Sequence, residues 1–187
     1  MVKIKILKFL LNNRENRFTI KKISESLKIN YRTAYENVLL LEKEKLIKIT
    51  KTGNSNICEL DDSFNESLFT AEFQRKKDLL NNKDFQIIHN RLSELKFPFI
   101  ILLFGSYSKG TNNKHSDIDL LSIGGDQKEI KSVISLLPDK IHLTQINYEE
   151  FIAMAKSKEF TVISEILKNN IILIGIEEYY RLLKNVR

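Results

Sequence analysis

The chain has one cysteine in 187 residues, Cys58, together with two prolines and six glycines. A single thiol forms no disulfide within the chain and supplies no cysteine-based metal site. Long apolar runs are also missing. None approaches the roughly 18 residues of a membrane-spanning helix, and the longest, Phe97 to Phe104, is strand-sized and interrupted by Pro98. The opening MVKIKILKFLLNN alternates lysine with apolar residues and has no small-residue cleavage site, so no signal peptide is expected. The expected setting is the cytoplasm, with no membrane partner. There is no internal repeat, and no low-complexity tract beyond a bias toward Lys, Asn and Ile. What is present, 29% charged and 42% hydrophobic residues, suits an ordinary globular protein, neither disordered nor membrane-embedded.

Charge is unevenly divided. Residues 1–60 carry 13 Lys and Arg against 6 Asp and Glu, giving +7, whereas residues 61–187 carry 17 against 18, giving −1. A basic first third joined to a near-neutral remainder points to a polyanionic partner for the first part, most simply nucleic acid, against the alternative of a solvated lysine-rich surface.

The first third reads as a succession of short elements. Ile4, Leu7, Leu10 and Leu11 fall at helical spacing. After the loop NRENRF, Thr19 is placed to cap a helix over IKKISESL, with Ile20, Ile23 and Leu27 on one side. Three residues of turn, Lys28 to Asn30, lead into YRTAYENVLLLEKEK, whose Ala34, Val38 and Leu41 keep a helical period. LIKIT and ICELD alternate as strands around the turn-rich KTGNSN. Helix, helix, short turn, helix, hairpin resembles a winged helix-turn-helix domain, with Tyr31 to about Lys45 as recognition helix and Lys51 to Asn56 as wing. That resemblance implies double-stranded DNA as partner. Tyr31, Arg32, Tyr35 and Asn37 lie off the apolar stripe and are the candidates for bases or phosphates, and Lys51 and Asn54 for a flanking groove. Such domains frequently dimerise, so a homodimer is one expected state.

Residues 61–96 contain no Pro or Gly and read as two helices, a connector whose Phe69, Phe73, Leu79, Ile87, Ile88, Leu92 and Leu95 are expected to pack on the domain that follows. From Phe97 the pattern becomes strand, glycine turn, strand, helix, strand, helices. FIILLF, Phe99 to Phe104, suits a strand buried on both faces. It ends at Gly105-Ser106, where a short polar helix closed by Gly110 would offer backbone N–H groups and the Ser106 hydroxyl to an anion such as phosphate. In SDIDLLSI alternate residues share a face, so Asp117 and Asp119 point together while Ile118 and Leu120 point to the core. Neighbouring carboxylates repel unless a cation lies between them, and a hard divalent ion, Mg²⁺ or Mn²⁺, meets that need and also holds nucleotide phosphates.

Gly105-Ser106, ten residues, then Asp117-Ile118-Asp119 has the form G-S-x(10)-D-x-D. This resembles the nucleotidyltransferase superfamily that includes DNA polymerase β, and within it the minimal nucleotidyltransferases, some of which act as antitoxins on a partner toxin. The resemblance implies an α+β protein with the winged helix-turn-helix at residues 1–60, a helical connector at 61–96, and a small mixed-sheet α/β nucleotidyltransferase-like domain at 97–187. It implies a metal held by Asp117 and Asp119, triphosphate contacts from Gly105, Ser106, Lys109 and Gly110, and transfer of a nucleotidyl group, AMP from ATP being expected, to a protein or small-molecule acceptor. The family's third carboxylate belongs on the next strand, KIHLTQIN, which has no acid. His142 takes that position, as base or weak ligand, with Asp139 in the turn before it and Glu149 and Glu150 beyond. An alternative is therefore a transcriptional regulator that senses a nucleotide without chemistry. Met154, Tyr179 and Tyr180 are expected to be packing residues.

Overall fold

Ile4, Leu7, Leu10 and Leu11 form the buried side of the first helix, α1 (Val2–Leu11), in a computed structural model that describes residues 1–61, 63–137, 140–157 and 162–186. A two-residue strand, β1 (Phe18–Thr19), precedes α2 (Ile20–Leu27), and the Thr19 hydroxyl caps that helix by accepting from the Lys22 N–H at 3.1 Å. Asn30 caps α3 (Tyr31–Lys43) through the Arg32 N–H at 2.8 Å, and Ala34, Val38 and Leu41 of α3 are fully buried. Two antiparallel strands follow, β2 (Ile47–Thr52) and β3 (Ser55–Leu60). Only Gly53 and Asn54 join them, and Gly53 supplies the positive φ, +58°, that so tight a hairpin needs. The wing is consequently all strand up to its tip, and Lys51 sits on β2 rather than in a loop. The sheet runs β1-β3-β2, with Phe18 opposite Cys58 and Thr19 opposite Ile57. Strand β1 lies at the end of a stretch whose sequence reads as loop, because two residues are too few to display an alternation.

Helix α4 (Glu66–Leu79) contains the boundary between two compact units, Met1–Gln74 and Arg75–Arg187. That boundary falls inside the stretch 61–96 that reads as a connector. In the first unit, buried Glu72 accepts from Arg14 at 2.8 Å, and Phe69 meets Phe64. Phe73 and Ile87, expected to pack, are about half exposed. Ile88 and Leu92 do enter the core of the second unit, with Leu79 and Leu95 against it.

The second unit is built on a four-stranded sheet. Helix α5 (Lys83–Ser93) leads to β4 (Ile100–Phe104), α6 (Gly105–Lys109), β5 (Ile118–Ile123), α7 (Gln127–Ser135) and β6 (Ile141–Ile146). There follow α8 (Tyr148–Lys156), α9 (Val162–Lys168), β7 (Ile171–Ile174) and α10 (Ile176–Val186). Strand order is β6-β5-β4-β7. Strand β4 is antiparallel to β5 and β7, and β5 is parallel to β6, so the sheet is mixed. Alternate residues serve two faces. Ile101, Leu103, Ile118, Leu120 and Leu173 join Phe85, Ile88 and Leu92 of α5 and Ile130 and Ile134 of α7 in one core, while Ile100, Leu102, Leu121, Ile123 and Ile172 are buried as well. The unbroken apolar run of β4 follows from this two-sided burial. Tyr179 is fully buried, its hydroxyl accepting from the Asn170 amide at 3.1 Å, and Tyr180 is nearly so, which makes both packing residues. Helix α8 ends at Lys156, and residues 158–161 lie outside the described residues.

Candidate functional site

The second unit places its distinctive residues where β4 and β5 end and begin. Phe104, the last residue of β4, pairs with Asp119. The next residue, Gly105, turns into α6 with φ +70°. A Cβ on Gly105 would overlap the Asp119 carboxylate. Glycine is thus required twice, for its left-handed backbone and because the acid occupies the volume a side chain would take. Gly110, φ +67°, closes α6, and the Thr111 N–H returns to the Ser106 carbonyl at 3.0 Å. Ser106 is half-buried in the first turn, where helical N–H groups have no partner within the helix. Tyr107 turns the other way, edge-on to Phe85.

The turn ahead of β5 is tied by Asn113, whose N–H donates to Ser116 Oγ and whose side chain accepts from the His115 N–H. It delivers Asp117, exposed, one residue before the strand. Ile118 and Leu120 are buried, and the Asp119 side chain between them keeps 27% of its surface. Burial therefore alternates as the sequence implies. On the neighbouring parallel strand β6, His142 stands in register with Asp119, its Nδ1 3.7 Å from Asp119 Oδ1, with 81% of its side chain exposed. The structure thus brings Gly105, Asp119 and His142 together, with Asp117 and Ser106 adjoining them in the chain. Glu150 does not join them. Its carboxylate accepts from the Asn147 N–H at 2.8 Å in the capping box of α8. Glu149 is exposed in the first turn of the same helix, and Asp139 lies outside the described residues.

Lys109, at the end of α6, lies 3.8 Å from Glu165 of α9, which is 3.2 Å from Lys168. It is not simply a solvated lysine. Glu165, 56 residues along the chain, had no signal in the sequence. Among the described residues no three His, Cys, Asp or Glu side chains are grouped to hold a metal ion by themselves. Two carboxylates suit an ion bound in the manner of Mg²⁺, which takes one or two protein carboxylates and completes its shell with water and substrate phosphates. The donor set fits one such ion.

In the first unit, Tyr31 and Tyr35 are exposed on α3 with their rings stacked, centroids 6.3 Å apart and 25° between planes. Arg32 is exposed and donates from Nε to Glu36 at 2.9 Å. Glu36 stands at i+4, a spacing at which such pairs form on a helix. Asn37 is half-buried and donates to the Thr33 carbonyl at 2.8 Å, so its amide group is occupied within the helix. Lys51 and Asn54 are exposed on the hairpin.

Comparison with known proteins gives two family matches. The family described as polymerase beta, nucleotidyltransferase matches residues 86–179, and the family described as HTH domain matches residues 2–55. Among curated proteins nothing matches. A solved structure described as "Crystal structure of the toxin-antitoxin with AMP-PNP" is similar at 20% identity and a TM-score of 0.38, over 55% of this chain and 83% of that one.

Proposed function

The chain belongs to the polymerase beta nucleotidyltransferase family, and from that premise we propose that it is a DNA-binding transferase that moves a nucleotidyl group, AMP from ATP, to a protein or small-molecule acceptor. The observation that carries this is the Asp119 carboxylate seated in the space Gly105 leaves, beside Asp117 and opposite His142. Asp117 and Asp119 hold Mg²⁺ or Mn²⁺, which when bound neutralises phosphate charge. Gly105, Ser106 and Gly110 line the triphosphate, and Lys109 exchanges its partner Glu165 for phosphate oxygen, since an exposed ion pair is worth little. The acceptor hydroxyl forms a bond to the α-phosphorus, the α–β bridging bond breaks, and pyrophosphate leaves. The hydroxyl proton passes to His142 at Nε2, because Nδ1 faces Asp119.

The N-terminal HTH domain binds double-stranded DNA, with Arg32, Lys51 and Asn54 on phosphates and Tyr31 and Tyr35 toward the bases. Joining an operator reader to a protein-modifying transferase is the logic of an antitoxin that also represses its own operon, with a partner toxin as acceptor. A second reading is favoured by His142 itself: with an imidazole in place of a third carboxylate, the site binds Mg-nucleotide without transfer and the chain is a nucleotide-responsive regulator. The deciding experiment incubates wild-type and Asp119→Asn proteins with Mg²⁺ or Mn²⁺, each α-labelled nucleoside triphosphate and host lysate. Label on an acceptor with wild type alone supports transfer. Binding of nucleotide with no transfer moves the assignment to the regulator, and no binding at all refutes both.

A further inference from the structure

The outward face of α3 offers few side chains of the kinds that read a base edge bidentately. It exposes Tyr31, Arg32, Tyr35, Glu36, Leu39 and Leu40. Bidentate reading of guanine uses Arg or Lys, and of adenine Asn or Gln. On α3 the Arg32 Nε donates to Glu36, with the rest of its guanidinium assigned above to phosphate, and the Asn37 amide donates to the Thr33 carbonyl. Lys43 lies in the last turn, away from the N-terminal residues of a recognition helix that reach base edges. What remains is mostly apolar surface, to which each tyrosine adds one hydroxyl. Tyr31, Tyr35 and Leu39 are 52%, 38% and 40% exposed and stand at i, i+4 and i+8, which is one stripe of the helix.

An apolar stripe also suits a protein partner, and the charge of the first third of the chain decides between the two. Among the described residues Lys21, Lys22, Lys28, Lys48 and Lys51 are exposed and make no ion pair. With a net charge of +7 over residues 1–60, these lysines favour a polyanion whose phosphates they can meet. The one apolar group that a base edge offers in the major groove is the thymine 5-methyl. We propose that Tyr31, Tyr35 and Leu39 read thymine methyl groups, so that the protein selects DNA rich in A·T pairs while its lysines bind the backbone. The inference rests on the DNA-binding reading above.

The test uses the full-length chain and three duplexes of one length: alternating A·T, the same with deoxyuridine for thymidine, and alternating G·C. Fluorescence anisotropy at one fixed salt concentration gives the affinities. Deoxyuridine removes only the methyl groups. The wild type is expected to bind the thymidine duplex best and to lose about fourfold on the deoxyuridine duplex if one methyl is buried and about fifteenfold if two are. In a Tyr31→Ala, Tyr35→Ala double variant the thymidine-to-deoxyuridine ratio falls toward one while the salt dependence stays, since the phosphate contacts are intact. Equal affinity of the wild type for both duplexes, or a preference for G·C, overturns the proposal and leaves DNA binding standing. Absence of binding to all three at low salt overturns both, and a dimer that Tyr35→Glu dissociates in sedimentation would then assign the stripe to a second copy.

Discussion

On the proposed reading the two units carry function in different ways. Met1–Gln74 spreads it over a surface: positive charge on many lysines and an exposed stripe on one helix. Arg75–Arg187, whose net charge of +3 equals that of Met1–Gln74, concentrates it in a few side chains at one end of β4 and β5. A distributed surface tolerates single losses, whereas a concentrated site fails with one atom.

That contrast orders the expected effects of substitution. Asp117→Asn is the most severe: Mg²⁺-dependent nucleotide affinity is expected to fall by about a hundredfold or more, with DNA affinity and the unfolding temperature unchanged. Calorimetric titration beside DNA anisotropy checks it, and unchanged nucleotide affinity would remove Asp117 from the site. Gly105→Ala comes next. A left-handed backbone and the overlap with Asp119 together cost about 2–4 kcal/mol, read as a lowered unfolding midpoint; a midpoint like the wild type's would show that Asp119 moves aside freely.

Cys58 sharpens the comparison from the first unit. Burial pushes its thiol up from 9.0 to about 11, and Glu42 adds to the shift. The folded chain therefore keeps this proton over a range in which the unfolded chain gives it up. On this account stability is whole below pH 9 and declines as pH rises to 11, by about 2–3 kcal/mol in total. Denaturant titrations across that range should show a shallower decline for Cys58→Ala than for wild type, and parallel curves would refute the assignment. Ser122 is fully buried and, among the described residues, its hydroxyl has no partner, so Ser122→Ala should raise stability by about 1 kcal/mol; a loss would point to a hydrogen bond that the hydroxyl makes. The smallest effect is expected of Lys51→Ala, a few-fold loss of DNA affinity with the salt slope reduced by about one. An unaltered slope would take the wing off the phosphate backbone.

Legibility in the sequence followed the same division. The placement of Gly105 beside Asp119 in the second unit was readable because its requirements are rigid: a positive φ, a missing side chain and an acid in register on the adjacent strand leave a fixed spacing in the chain. His142 was also readable, since β6 runs parallel to β5 without a shift and places it opposite Asp119. The pairing of Lys109 with Glu165 was not, because it depends on where α9 packs and no local pattern encodes that. In the first unit the order of elements was legible from periodicity and caps. The contacts of Arg32 with Glu36 and of Asn37 with Thr33 were not, because the same spacing serves equally for a free side chain. Strand β1 escaped for want of length.

Gly105 and Asp119 claim one volume from positions 14 residues apart. In a library that varies every position singly, both columns will look intolerant, and nothing in such data would link them. Varied as a pair they form one unit of inheritance: any residue larger than glycine at 105 is admitted only with a shrunken side chain at 119, which loses the acid, or a displaced one, which takes the carboxylate from its place. A lineage that drifts at either position therefore has no gradual route that keeps the site, and a homologue with a bulky residue at the first is expected to have lost the carboxylate at the second.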